Sequence, residues 1–178
     1  MARPTTFTFE QKVDHFEKAV RHDILDAVKH SLKHNPPFYL GAVRQLTVYF
    51  EMIGKYINGF AAEGKSEYYF KEGCKEVNSI RSPRAPPQDH HLKRFYELIR
   101  CGLYHQGFPS LRKVRIDANY TGSALRAGEP SGDLIVFPHG LRRMVERHFD
   151  EYVAKLRDPA NTTLRANFEK RFDFESGL

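Results

Sequence analysis

The chain has 178 residues, which is enough for one domain that buries a hydrophobic core without disulfides or a structural metal. Its composition, 40% hydrophobic and 28% charged, is globular and excludes wholesale disorder. The formal net charge of +6 favours polyanionic partners such as nucleic acid, although many soluble proteins are this basic for no specific reason.

The first half of the chain predicts four helices. Residues 9–34 place apolar side chains every three or four positions, and the prolines of residues 35–37 end that helix because they donate no backbone hydrogen bond. The second helix, 39–60, is apolar around more than one stripe, so we expect it to be the central and most buried helix. A shorter helix spans 67–80, and a fourth spans 88–104.

The hydrophobic period changes after the fourth helix. Residues 114–117 and 134–137 are typical of short strands, and glycine- and serine-rich turns separate them. The simplest interpretation is a small β-hairpin inserted between helices. An amphipathic helix is then predicted over 140–156, followed by a last helix over 161–172 whose end we expect to fray.

The predicted fold is a mainly α single domain over residues 1–178. It is a helical bundle of about five to six helices with a core of about 9–158, a C-terminal helix and a small β-hairpin insertion. No run of about 18 apolar residues suggests a membrane span, and the N-terminus lacks the apolar stretch of a secretion signal. With only two cysteines, we expect a cytoplasmic protein with reduced thiols and no membrane contact.

The end of the fourth helix carries a distinctive group of polar residues. Residues 95–107 read Phe-Tyr-Glu-Leu-Ile-Arg-Cys-Gly-Leu-Tyr-His-Gln-Gly, in which four residues separate Arg100 from His105. Arg143 and His148 have the same spacing, but they lie within a strongly charged helix, where a solvated basic face explains them. Spacing alone is therefore weak evidence for a site.

Two glycines distinguish the first pair from the second. Gly102 and Gly107 flank it at the end of an otherwise apolar helix, where each glycine costs about 1 kcal/mol in a helix interior. Close approach of another helix or of a ligand would explain them. The alternative is that Gly107 simply caps the helix and His105 hydrogen-bonds locally.

The stretch from Arg100 to His105 resembles the Arg-x(4–6)-His signature of the HEPN superfamily, the nucleotide-binding helical domains of higher eukaryotes and prokaryotes. The order of the helices is similar, and the surrounding Gly-Leu-Tyr-His-Gln-Gly resembles the plasmid- and phage-associated branches. The resemblance implies a metal-independent endoribonuclease without a cofactor. It implies Arg100 and His105 as catalytic residues, RNA as substrate, and a role as a toxin or defence effector with a possible antitoxin protein as partner.

The resemblance also implies a homodimer in which two signatures face one cleft. Five positions along an ideal α-helix turn by about 500°, so Arg100 and His105 would lie about 140° apart and would not converge. A two-fold axis beside the helix end brings two copies of each together. A histidine exchanges protons near neutral pH, and an arginine holds a phosphate and stabilises its added charge.

Residues on the second helix are candidates for supporting this site. Arg44 and Glu51 are seven positions apart and share a helix face. HEPN domains often carry a polar residue on an early helix that supports the signature. Two interpretations of Glu51 are equally supported: it pairs with Arg100, or it is a glutamate at the solvent edge.

Three residues in or next to the signature are further candidates. Tyr104 would stack on a base or belong to the core, and Gln106 would contact phosphate or help to cap the helix. We expect Cys101 to be a buried, inert thiol, although active HEPN nucleases commonly carry a polar residue after the arginine. That departure favours a second hypothesis, a non-catalytic HEPN-like module that binds RNA or nucleotide. A third is a structural protein whose helix end forms a dimer seam.

Overall fold

A computed structural model describes the chain over residues 7–34, 38–60, 64–79, 88–102, 113–119, 125–127 and 134–177. These ranges contain six helices and one small sheet, which confirms the predicted mainly α bundle with a small β insertion. No helix within them is both long enough and apolar enough to cross a membrane.

Helix α1 changes its winding along its length. It consists of α-helical residues Phe9–Val20, a π-helical turn at Arg21–Asp26 and α-helical residues Ala27–Lys33. A capping box starts it. The Thr8 hydroxyl accepts a hydrogen bond from the Gln11 backbone N–H, and the Gln11 side chain accepts one from the Thr8 backbone N–H.

Helix α2, Tyr39–Ile57, is the central element, as predicted, and contacts all five other helices. Its most extensive contact is with helix α3, Ser66–Ser79. Gly54 of α2 faces the backbone of α3, and Gly73 of α3 faces the backbone of α2. A Cβ atom at either position would clash with a carbonyl group of the other helix, so the two glycines permit this close packing.

Helix α4 joins α-helical residues Asp89–Phe95 to a second π-helical turn at Tyr96–Cys101. Helix α5 spans Pro138–Arg157, and helix α6 spans Thr162–Ser176. The predicted bounds of α1, α2, α3 and α5 agree with the observed ones to within one helical turn. Neither π-helical turn was predicted, because the hydrophobic spacing was interpreted with the α-helical period.

Helix α6 continues beyond Phe172, where the sequence interpretation ended it with a frayed terminus. Glu175 is anchored there, because the Tyr56 hydroxyl donates a hydrogen bond to its Oε2 at 2.6 Å and the Arg171 Nε donates to its Oε1 at 2.9 Å. Gly177 then ends the helix in the left-handed conformation, with φ of 68°.

Strands β1 (Val114–Ile116), β2 (Leu125–Ala127) and β3 (Leu134–Val136) form a sheet in the order β1–β3–β2. The two predicted strands, β1 and β3, pair in parallel and not as the arms of a hairpin. The antiparallel neighbour of β3 is β2, which the sequence did not predict. All three residues of β3 are buried, as is typical of a strand with partners on both edges.

One hydrophobic core cluster receives side chains from all six helices and from β1 and β3. The Phe50 ring of α2 lies 5.7 Å from that of Phe70 in α3 and 5.8 Å from that of Phe95 in α4. These three rings are each no more than 1% exposed. They fix α4 against α2 and α3, and so determine where the end of α4 lies.

Candidate functional site

Arg100 extends from the π-helical turn of α4 to the middle of α2. Its Nη2 atom donates a hydrogen bond to Oε2 of Glu51 at 2.7 Å, so the first interpretation of Glu51, pairing with Arg100, is confirmed. The side chains are 20% and 13% exposed, respectively. The ion pair is therefore shielded from most solvent but still reaches the surface.

Three donors, one from each of three helices, surround the Glu51 carboxylate. Nζ of Lys55, one turn further along α2, lies 2.8 Å from Oε1. The hydroxyl of Ser66, the first residue of α3, donates to Oε2 at 2.6 Å, the oxygen that also accepts from Arg100. An ionised carboxylate has about four lone-pair sites, so all three contacts can form together.

The charges in this group stabilise one another. Burial alone would raise the pKa of Glu51, but hydrogen bonds from Lys55 and Ser66 and the charges of Lys55 and Arg100 outweigh it, so the pKa lies below its usual value. Burial would lower the pKa of Arg100, but the charge of Glu51 and its hydrogen bond raise it. Two cations therefore flank one carboxylate at neutral pH, which leaves an excess positive charge.

Tyr96 packs beside Arg100 on α4. The guanidinium carbon lies 5.7 Å from the centroid of the Tyr96 ring, and that ring lies 5.3 Å from the ring of Phe70. Burial raises the pKa of Tyr96, so its phenol is protonated at neutral pH. Together, Glu51, Lys55, Ser66, Tyr96 and Arg100 form what we call the polar cluster.

The sequence interpretation missed three members of the polar cluster. Lys55 follows Glu51 by four positions, and Tyr96 precedes Arg100 by four, so both lie on the same helix face as a predicted residue and the spacing was a usable signal. Ser66 had no such signal, because only the packing of α3 against α2 brings it to Glu51.

The winding of α4 also departs from the ideal helix assumed from the sequence. Residues Tyr96–Cys101 form a π-helical turn with i→i+5 hydrogen bonds, where an α-helix with i→i+4 hydrogen bonds was assumed. Such turns occur frequently at functional sites. Cys101, the last residue of this turn, is half-buried, where a buried thiol was predicted.

Three of the predicted site residues, Tyr104, His105 and Gln106, lie outside the described residues, as does Gly107. Gly102 is described and is buried, directly after the π-helical turn. The roles predicted for the first three therefore stay predictions.

Arg44 is exposed on α2, two turns before Glu51. Arg44 and Glu51 therefore share a face of α2, as predicted, and Arg44 lies nearer the start of the helix. Its role as a supporting residue stays a prediction.

The second Arg-x4-His pair is not a solvated basic face, contrary to the sequence interpretation. Arg143 is exposed, but His148 is only 1% exposed, and its Nδ1 lies 2.6 Å from the hydroxyl of Tyr49. Burial lowers the pKa of His148 to about 4 and raises that of Tyr49. The imidazole is therefore neutral and shares a hydrogen bond with the phenol, and the Arg143–His148 pair directs one side chain to solvent and the other into the core.

The polar cluster is suited to binding an anionic group. Glu51 holds the guanidinium of Arg100 in one orientation, in which the guanidinium can bind a phosphate oxygen. Over the described ranges, no three His, Cys, Asp or Glu side chains are grouped so as to hold a metal ion. Comparison with protein-family models, with curated proteins and with solved structures found no match to the chain.

Proposed function

We propose that the chain is a metal-independent endoribonuclease of the HEPN type that acts on RNA as a homodimer. The observation that carries the proposal is the Glu51–Arg100 ion pair at the end of α4. It is the arrangement that the resemblance implies, with a polar residue on an early helix orienting the arginine of the signature. The net charge of +6 also suits a polyanionic substrate.

In the proposed reaction, His105 removes the proton of a ribose 2′-hydroxyl, and the 2′-oxygen attacks the adjacent phosphorus. The bond from phosphorus to the 5′-oxygen breaks, and the partner's His105 protonates the leaving oxygen. Arg100 stabilises the negative charge that grows on the phosphoryl oxygens. The products are a 2′,3′-cyclic phosphate and a 5′-hydroxyl.

Cleavage of RNA in the presence of EDTA tests this proposal. We expect His105→Ala and Arg100→Ala to reduce the cleavage rate by at least about 100-fold, the usual contribution of a proton-transfer group or of an oxyanion-stabilising one. His91→Ala and Lys93→Ala, which change exposed residues of the same helix, should cleave like the wild type. Equal cleavage by the wild type and His105→Ala would remove the proposal.

The alternative is a HEPN-like module that binds RNA or nucleotide, or dimerises, without cutting. Cys101 favours it, because the residue after Arg100 is a thiol, which is only a weak hydrogen-bond partner. The Arg100 charge is also already engaged by Glu51. RNA binding that survives His105→Ala, with no cleavage by the wild type, would select this alternative.

The proposed dimer and biological role have separate tests. Light scattering over the concentrations used for cleavage should give twice the mass of one chain, and a strictly monomeric protein would exclude a shared cleft. For a cytoplasmic toxin or defence effector, expression should slow growth, and Arg100→Ala should relieve the effect. Co-expression of a cognate antitoxin protein should relieve it without any substitution.

A further inference from the structure

The last part of α1 and the start of α5 meet at a corner of the molecule. The α-helical segment Ala27–Lys33 contacts α5, and the ring of Tyr39, at the start of α2, lies 6.2 Å from the ring of His139. The basic corner is defined here by His30, Lys33, His34, Phe38, His139 and Arg143.

Three rings of the basic corner follow one another along the surface. The ring centroids of His30 and His34 are 6.3 Å apart, and those of His34 and Phe38 are 4.3 Å apart with an interplanar angle of 33°. Phe38 is 53% exposed, which is unusual for so large an apolar side chain. Its backbone N–H donates to the Ser31 carbonyl at 2.9 Å, which ties the Phe38 backbone to α1.

The two segments that build the corner contain no acidic residue. Residues 27–50 and 134–145 have no Asp or Glu, while their lysine, arginine and histidine side chains are Lys29, His30, Lys33, His34, Arg44, His139, Arg142 and Arg143. Burial and the charges of Arg142 and Arg143 lower the pKa of His139, as expected where cations are close together. The nearest acid along α5, Glu146, pairs with Arg142.

Several acidic residues elsewhere pair with cations on neighbouring helices. Lys12 of α1 contacts Glu169 of α6 at 2.7 Å, and Arg157 of α5 contacts Glu17 of α1 at 2.8 Å. Acids and cations therefore alternate on that side of the bundle, whereas the basic corner gathers cations.

We propose that the basic corner binds single-stranded nucleic acid, with bases stacked on the His34 and Phe38 rings and phosphates held by Lys33 and Arg143. Every base has a π-face, so such stacking tolerates any sequence. A duplex hides those faces within its own stack. An anionic membrane or acidic peptide would use the cations but would not need exposed rings.

The basic corner is separate from the polar cluster. Twelve positions along α2 separate Tyr39 from Glu51, which is about 18 Å along the helix axis. The inference does not require cleavage, and it stands whether or not the polar cluster is catalytic. If both proposals hold, one strand several nucleotides long would contact both surfaces.

Binding of a labelled oligo-dT strand of about 12 nucleotides tests the stacking. This strand lacks the 2′-hydroxyl, so the proposed nuclease reaction cannot destroy it. We expect Phe38→Ala to weaken binding at low salt by at least about fivefold, equivalent to about 1 kcal/mol for one stacked base. Phe174→Ala, which removes a ring that is 40% exposed on α6, should leave the affinity unchanged. Equal affinities of the two variants would overturn the proposal, as would no binding by the wild type.

The salt dependence of the same binding tests the phosphate contacts. Lys33→Gln should reduce the slope of log K against log salt by about 0.7, the value for one contact to a single strand. Lys18→Gln, an exposed lysine earlier on α1, should leave the slope unchanged. An unchanged slope in Lys33→Gln would remove Lys33 from the binding surface.

Tryptophan fluorescence gives a readout that does not depend on losing a side chain. The chain has no Trp, so Phe38→Trp introduces a single fluorophore at the corner. We expect oligo-dT and oligo-U to quench it equally and a duplex to quench it far less, while Phe174→Trp responds to none of them. Equal responses to the duplex or to anionic vesicles would overturn the proposal. Quenching that persists without RNA cleavage would contradict the nuclease proposal alone.

Discussion

Glu51 accepts hydrogen bonds from α2, α3 and α4 through one carboxylate, so its charge has structural consequences. We expect Glu51→Gln to lower the free energy of unfolding by about 1–3 kcal/mol, because Lys55 and Arg100 then lie close together without a neutralising charge. Ser66→Ala should cost only about 1 kcal/mol, because it removes one hydrogen bond and leaves the charges paired. Urea denaturation measures both. A Glu51→Gln protein as stable as the wild type would show that the ion pair is offset by its desolvation.

Two buried tyrosines allow the stabilisation from one core hydrogen bond to be measured, because only one of them has a hydrogen-bond partner among the described residues. Tyr49→Phe leaves Nδ1 of His148 without its hydrogen-bond partner, and we expect a loss of about 1–3 kcal/mol. The hydroxyl of Tyr152 is also buried and has no hydrogen-bond partner among the described residues. Tyr152→Phe should therefore be neutral or stabilising in the same urea titration. Equal losses in the two variants would contradict the assigned hydrogen bond.

At the scale of elements, the contact of α2 with α3 depends on two glycines. We expect Gly73→Ala to cost about 1–3 kcal/mol, because its Cβ would clash with the Phe50 carbonyl and force the helices apart. Gly41→Ala is the control, since its Cβ would meet only the Cβ of Phe38, at 3.8 Å. That variant should gain up to about 1 kcal/mol from reduced backbone freedom in the unfolded chain. Thermal unfolding of both variants checks the difference in sign.

The helices were predicted more completely than the π-helical turns and the pairing of the strands. Helices such as α2 and α5 were found because their apolar side chains recur at the helical period, which is a local property of the chain. The π-helical turn at Tyr96–Cys101 was missed, because one extra residue in a turn leaves no distinct pattern. The pairing of β1 with β3 was also missed. Strand direction depends on the path of the connection and not on the strands alone.

At the scale of the whole molecule, the buried His148 predicts acid sensitivity. Its pKa is about 4 in the folded chain against an ordinary 6.5, so between these values the unfolded chain takes up a proton that the folded chain does not. The contribution of neutral His148 to the free energy of unfolding is therefore complete above pH 6.5. It is lost as the pH drops towards 4, by about 3 kcal/mol in total. His139, whose pKa is also lowered, contributes in the same direction.

Urea titrations at about pH 7 and about pH 5 check this dependence. His148→Asn keeps a hydrogen-bonding side chain beside Tyr49 but does not titrate, so most of the loss between the two pH values should disappear in that variant. The pKa of Glu51 lies below 4.5, so its own contribution is lost only at still lower pH. The same pH dependence in the wild type and in His148→Asn would contradict the assignment.

The sequence alone determined the helical bundle and the central position of α2, and it named Glu51 as a candidate partner of Arg100. The first two follow from hydrophobic periodicity, which is written locally along the chain. The candidate pairing came from the family resemblance. Tertiary structure decided that Ser66 joins this pair, that His148 is buried while Arg143 is exposed, and that α1 and α5 meet at the basic corner. These contacts join residues distant in sequence, and only the packing of whole helices brings them together.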